Sequence, residues 1–364
     1  MALDLWIYGP GFGETNVLVW DSPCDAADAP AKRAAVVDNH GGKTDALQPA
    51  LQCLKAQGCP PVELVAATHP HLDHLRNFDR LLNRPELEPE TVFWWGGQDD
   101  TMHEKWYLKL AEHPDIRGRE PGKAALMSGR FIQVARKLAG HDGLGGKARL
   151  CTPMGGDGAV FELKGMTVSA ISPWEKPKQD FCNDFRNQFE EVNGETVARP
   201  VKVASNRVSL GLVFEHQSKQ VLLGGDMEEA NWLAWRRWQK KHGVALRPAV
   251  IKVSHHGSET GTLPDMWENG FFESLKEAAE AGEPPLCVIT PWRVGGRRLP
   301  VEEVVTSIRK AGCRVILTGT PEGAKGLELK NRYPESFAHI RIEDDGTTRY
   351  CEDSKLCTDL EPLI

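Results

Sequence analysis

The sequence predicts an α/β protein: two stacked mixed β-sheets with flanking helices, an αββα sandwich. Three observations lead there. Both halves of the chain mix short apolar, β-rich runs with helix-patterned segments. In the first half one such run, residues 62–67 (VELVAA), leads straight into Thr68-His69-Pro70-His71-Leu72-Asp73-His74. In the second half two further runs end in Gly224-Gly225-Asp226 and in Ser254-His255-His256-Gly257-Ser258. Ligand-type side chains delivered from strand ends in both halves meet when two sheets stack, with the helices left outside.

The elements follow in order. Residues 15–20 (TNVLVW) and 34–37 (AAVV) read as short strands, and Asp38-Asn39-His40-Gly41-Gly42 as a turn. Residues 45–55 read as a helix, with Leu47, Leu51 and Leu54 on one face. The buried strand 62–67 follows, then the histidine-rich loop, a helix start at 77–82 and a strand at 91–95 (TVFWW). Residues 97–147 hold helical patches at 103–111 and 131–138 among glycines and charges, and are expected to be an insertion or cap beside the site. Strands return at 161–163, 167–171, 208–215 and 220–223, while the polar stretch 175–205 reads as a loop or lid with a short helix. A helix opens at Glu228 and carries Trp232, Trp235 and Trp238 at three-residue spacing, a stripe read as packing. Strands at 249–253, 286–289, 314–318, 339–343 and 347–350, with helices at 273–281 and 301–311, complete the chain. The whole is expected to form one domain over 1–364.

Composition narrows the class. Apolar content of 40% and charge of 26% over 364 residues describe a globular protein with a full core. No window is apolar enough for a membrane span, and the N-terminus lacks the basic start of a secretory signal. The nine cysteines are scattered, without a C-x-x-C pair, which suits a reduced cytoplasm. A net charge of −7 leaves no whole-chain basic footprint for nucleic acid. Local basic clusters do occur: Arg236, Arg237, Lys240 and Lys241 on one segment, Arg293, Arg297 and Arg298 on another.

His69, His71, Asp73 and His74 form an H-x-H-x-D-H pattern. A loop leaving a strand turns His69 and His71 toward one metal ion and Asp73 and His74 toward a second. Imidazole and carboxylate suit zinc, manganese or iron, and a shared carboxylate from elsewhere would hold two ions close together.

The order of Asp38 after a strand, His69-x-His71-x-Asp73-His74, Asp226 after an apolar strand and His255-His256 after another resembles the metallo-β-lactamase fold. That is an αββα sandwich of hydrolases with one or two metal ions between the sheets. Asn206-x-x-Ser209-Leu-x-Leu, Leu222-Leu-Gly-Gly-Asp226 and Ile251-Lys-Val-Ser-His-His-Gly-Ser258 resemble the hydrolase domain of ComEC-type DNA-uptake proteins, over about residues 1–320. Two departures stand out. Where that subgroup carries an Asn-x-x-Gly-His-Pro, residues 294–300 read VGGRRLP and lack the histidine. The histidines between the first motif and Asp226 (His103, His113, His141 and His216) sit in no recognisable motif.

The resemblance implies His69 and His71 in one site, Asp73, His74 and His255 in the other, and Asp226 bridging two divalent ions, zinc or manganese. His256 either takes the place of His255 or hydrogen-bonds substrate. Asp38 is expected to orient a ligand histidine and Asn206 to lie near the centre. The ions would activate a water at neutral pH, so no serine or cysteine nucleophile is needed. Asp73 is expected to accept a hydrogen bond from that water, and Lys252, Ser258 and Thr260 to reach a phosphate. The expected function is a metal-dependent phosphodiesterase, a DNA nuclease first, working alone or within a larger complex. The alternative is a small-molecule ester, lactone or phosphocholine-type hydrolase on the same fold.

Overall fold

The computed structural model describes residues 2–9, 13–23, 32–82, 87–96, 101–138, 149–151, 160–193, 195–198, 205–263, 265–267, 271–272, 275–292, 298–318, 336–351, 354 and 357–361. The first half runs β1 (Leu3–Tyr8), β2 (Thr15–Asp21), β3 (Lys32–Val37), α1 (Pro49–Ala56), β4 (Val62–Ala67), α2 (Leu72–Leu75), α3 (Asp79–Leu82), β5 (Leu87–Trp95), α4 (Thr101–Glu112), α5 (Glu120–Leu138) and β6 (Arg149–Cys151). The second half runs β7 (Val160–Leu163), β8 (Met166–Ser172), α6 (Glu175–Arg186), β9 (Phe189–Val192), β10 (Glu195–Ala198), β11 (Gly211–His216), β12 (Lys219–Leu223), α7 (Glu229–His242), β13 (Pro248–Lys252), α8 (Leu275–Glu280), β14 (Leu286–Ile289), α9 (Glu302–Lys310) and β15 (Arg314–Thr318). Three more strands follow: β16 (Phe337–Ile342), β17 (Thr348–Tyr350) and β18 (Cys357–Leu360).

The strands form two large mixed sheets. One has the order β17-β16-β1-β2-β3-β4-β5-β6, the other β18-β15-β14-β13-β12-β11-β8-β7. Each sheet begins with antiparallel hairpins and turns parallel, at β3–β4–β5–β6 in the first and at β12–β13–β14–β15 in the second. The αββα sandwich expected from the sequence is therefore the observed architecture.

Alternation within the strands explains why both sheet faces are covered. Leu64 and Ala66 of β4 face the core between the sheets, with Leu212, Phe214, Leu223 and Val250. Val62, Val65 and Ala67 face a second core under α1–α6, with Phe78, Phe131 and Phe185. A third core lies on the far side of the other sheet, where Ile251 and Val253 meet Trp232, Trp235 and Ile308. Burial on both faces accounts for the nearly continuous apolar reading of VELVAA. The Trp stripe of α7 is packing, since Trp232 and Trp235 are buried. Among the described residues no helix is long and apolar enough to cross a membrane.

Four local expectations change. The helix expected over 45–55 is split into a short 3₁₀ turn and α1, because Pro49 opens α1 and leaves Gln48 extended. The strand expected from 208 starts at Gly211; Ser205–Val208 forms a 3₁₀ turn instead, and Leu210 N–H donates to the Thr68 carbonyl. The stretch expected to be a loop or lid with a short helix over 175–205 holds the twelve-residue α6 and the β9–β10 hairpin. Its signal was present in Pro177, Phe181 and Phe185, which recur every four residues and are buried. The first strand, β1, was not foreseen at all. Of residues 97–147, those described form α4 and α5, which pack on each other and beside α2, α3 and β5; 97–100 and 139–147 lie outside the described residues.

Candidate metal centre

The centre is assembled at the C-terminal ends of the parallel strands β4, β12 and β13. Residues 68–71 leave β4, and α2 then holds Asp73 and His74. Past β12 the chain turns at Gly225, whose φ is +50° and whose Cβ position would lie 2.5 Å from the Leu210 carbonyl oxygen, so glycine is required there. The Asp226 N–H that follows donates to Ser209 Oγ at 2.8 Å. Beyond β13, His255 (φ 47°) and His256 (φ 56°) both adopt the left-handed conformation that non-glycine residues avoid. Such strain costs on the order of 1–3 kcal/mol per residue and concentrates at functional sites. It points two adjacent imidazoles in different directions.

Two groups converge on Asp226. In the inner group, His74 Nε2 lies 3.3 Å from Asp73 Oδ2 and 3.5 Å from Asp226 Oδ1. His256 Nε2 lies 3.3 Å from Asp73 Oδ2 and 4.0 Å from Asp226 Oδ1. Glu14 joins this group, with its Oε1 3.8 Å from His74 Nδ1. In the outer group, His69 Nε2 lies 2.9 Å from His71 Nδ1 and 3.7 Å from Asp226 Oδ2. Ligand-type atoms of Glu14, His74, Asp226 and His256, and of His69, His71 and Asp226, fall within 4.8 Å of one another.

The imidazoles are oriented from behind. Asp38, itself left-handed at φ 59°, accepts from the Thr68 N–H at 2.7 Å and the Thr68 hydroxyl at 2.8 Å, and its Oδ2 lies 2.7 Å from His74 Nδ1. That contact turns His74 Nε2 toward the carboxylates. His256 Nδ1 sits 2.9 Å from the Thr290 carbonyl oxygen, which leaves Nε2 facing the centre in the same way.

The electrostatics suit a cation. Burial holds His69 well below the usual imidazole range and lowers His71, so both keep a free lone pair. For His74 burial pulls downward, but Asp73, Asp38, Asp226 and Glu14 outweigh it and raise it well above that range. A carboxylate field that favours a proton at this spot favours a metal cation equally. His74 Nε2 and Asp226 Oδ1 have no hydrogen-bond partner among the described residues, although both are buried. Two buried atoms of opposite charge preference, without a hydrogen bond and 3.5 Å apart, fit a shared ion. The donor set, imidazole with carboxylate, fits a divalent ion of the zinc or manganese type.

Several expected residues sit elsewhere. The structure brings His256 into the inner group, whereas His255 lies on the outer side with its Nε2 4.0 Å from Asp226 Oδ2. His255 Nδ1 pairs with Thr260 Oγ1 at 3.1 Å and faces Glu228 at 3.6 Å. Of the two arrangements the sequence left open, the geometry therefore favours His256 in the inner set. Lys252 is fully buried and ion-paired with Glu14, so it does not present its ammonium to a substrate phosphate. Ser258 is also corrected: its hydroxyl accepts from the Gly261 N–H at 3.0 Å and caps the local turn. Asn206 lies at the outer rim, where Nδ2 donates to Glu228 Oε1 at 3.1 Å and approaches His255 Nε2 at 3.4 Å. Arg236 is held by both oxygens of Asp265, at 2.9 and 2.8 Å. Arg293 and Arg297 lie outside the described residues. Glu14, Thr68, Thr290 and Glu228 were missed, since each is an ordinary residue type outside any motif.

No protein-family model matches the chain, and no curated protein matches it. Solved structures do. The chain is similar to the metallo-beta-lactamase fold protein YhfI from Bacillus subtilis, at 11% identity and a TM-score of 0.38, over 87% of this chain and 95% of that one. It is also similar to a motif mutant of the metallo-beta-lactamase from Cronobacter sakazakii, at 11% identity and a TM-score of 0.33, over 84% and 90%. Zn(2+)-bound PqqB from Methylobacterium extorquens overlaps at 11% identity and a TM-score of 0.32, over 69% and 71%. The ComEC-type likeness has no counterpart among these three. Overlap at these TM-scores says nothing about chemistry.

Proposed function

We propose that the chain is a metal-dependent hydrolase that binds two divalent cations, zinc or manganese, around Asp226. The observation that carries this reading is the buried His74 Nε2 and Asp226 Oδ1, neither with a hydrogen bond among the described residues, flanked by further imidazoles on both sides. Asp73, His74 and His256 would hold the inner ion and His69 and His71 the outer one, with Asp226 shared and His255 beside it. When bound, the ions supply Lewis-acid polarisation of the scissile group and lower the pKa of a water. Asp73 would accept a hydrogen bond from that water. Asp38 fixes the His74 ring, and Thr290 fixes that of His256. Phosphodiesters are the first bond class, from the Asn206-x-x-Ser209 and Lys252-x-x-His255-His256 resemblance, with nucleic acid as the polymer to try. Small neutral esters are the second, favoured by the net charge of −7 and by the pairing of Lys252 and Arg236 within the protein.

The test is hydrolysis of plasmid DNA, single-stranded DNA, bis(4-nitrophenyl) phosphate and 4-nitrophenyl acetate with Mn²⁺, Zn²⁺ or chelator. Turnover that needs metal on at least one of these supports the hydrolase. Turnover that survives the chelator, or metal-loaded protein that hydrolyses none, counts against it.

A further inference from the structure

A cavity of about 440 Å³ opens beside the centre, with His71 in its wall. Its size is that of a small-molecule site. The walls come from the helices of the first half and from α6: Leu110, Ile116, Ala124, Ala125, Phe181 and Phe185. All but Ile116 are buried. Among the described residues that line it there is no lysine or arginine, and the one carboxylate, Glu120, stands at the exposed end of α5. An anionic backbone therefore finds no partner among these residues.

Besides His71, Glu120 and Ser205, the polar residues Tyr107 and Gln188 line the wall. Tyr107 Oη and Gln188 Nε2 are buried, and neither has a hydrogen-bond partner among the described residues. Leaving buried donors unpaired is costly, and native proteins seldom do so without a reason. Burial also keeps the Tyr107 hydroxyl protonated well past its ordinary range, so it remains a donor. Both groups call for an acceptor, and the surrounding wall calls for hydrocarbon.

We propose that this cavity binds an uncharged acyl arm of the substrate, whose acceptor oxygens pair with Tyr107 and Gln188 while the scissile bond lies toward His71. The position of the scissile bond rests on the hydrolase reading; the binding of an acyl arm does not.

The experiment separates the two. Octanamide, uncharged and with one carbonyl, is titrated calorimetrically into the chelator-treated full chain, its Gln188→Leu and Tyr107→Phe variants, and Ala125→Phe, which fills the cavity. Binding to the wild type, weakened roughly fivefold by either donor variant and lost in Ala125→Phe, is the expected result. No binding to the wild type, or binding that the donor variants leave unchanged, overturns the proposal even if Ala125→Phe fails to fold. Metal-loaded protein is then offered 4-nitrophenyl octanoate and 4-nitrophenyl acetate. A kcat/KM at least about tenfold higher on the octanoate ties the cavity to the centre, and equal values on both sever that tie. Octanamide binding with no turnover of either ester, of bis(4-nitrophenyl) phosphate or of DNA removes the hydrolase reading and leaves the acyl site standing.

Discussion

The inner and outer groups share one carboxylate but are built differently. In the inner group every imidazole is braced: His74 by Asp38 at 2.7 Å and His256 by the Thr290 carbonyl at 2.9 Å, with both rings buried. The outer group is looser. His69 touches Thr68 Oγ1 at 3.0 Å, but among the described residues the ring of the half-buried His71 meets only the His69 ring within hydrogen-bond distance, and it borders the apolar cavity. Bracing of ligands raises affinity and fixes geometry. On the proposed reading the inner position would keep an ion, and the outer one would meet a substrate.

Asp226→Ala is expected to have the largest effect, because it removes the carboxylate common to both groups. Elemental analysis is expected to show loss of bound metal at both positions, with turnover abolished. If one full equivalent stayed bound, the two groups would not depend on a shared carboxylate. Lys252→Met comes next. It leaves Glu14 buried beside His74 without its ion-pair partner, and breaking a buried pair costs about 3–5 kcal/mol. Urea denaturation checks the figure, and Glu14→Gln added to Lys252→Met should return part of it. An unchanged midpoint would mean that the pair does not anchor the inner side.

Asp38→Asn separates the two groups, because Asp38 contacts His74 of the inner one directly and reaches His69 of the outer one through Thr68. Inner-site affinity is expected to fall about 10–100-fold, with a smaller loss at the outer site in competition with a chelating dye. Equal losses at both would merge the groups. The smallest effect concerns His40, next to Gly13 behind the inner side. Burial lowers it to about 3 from an ordinary 6.5. The unfolded chain therefore binds the extra proton between those values, and stability falls as pH drops below 6.5, by about 1 kcal/mol over the first pH unit. A His40→Gln variant should lack that slope in pH-dependent melts, and an identical slope would refute the assignment.

Much of the fold and of the centre is legible in the sequence. Four ligand-type residues fall within His69–His74, so their proximity follows from chain connectivity alone. Asp226 was readable because it follows an apolar strand, and the sandwich because both halves repeat that pattern. Choosing between His255 and His256 was beyond the sequence. Two left-handed residues in succession decide which ring points inward, and the deciding partner, Thr290, arrives from the end of β14. Lys252 was misjudged for a related reason. β13 lies within a covered sheet, so a strand position that looks free to face a ligand is fully buried. Glu14 left no trace in any motif, and only the stacking of β13 and β14 over the turn before β2 gives it a role.

The last strands also bear on how the chain is made. β16 pairs with β1 along Leu3–Tyr8, and β18 pairs with β15. Chain synthesised as far as residue 336 thus leaves a bare strand edge on each sheet, with β1 waiting for a partner more than 300 positions downstream. Unpaired edges invite association with other chains. A stop codon at Phe337 is therefore expected to yield aggregate during translation, whereas fusing residues 336–361 ahead of β1 would supply both edges early on the ribosome.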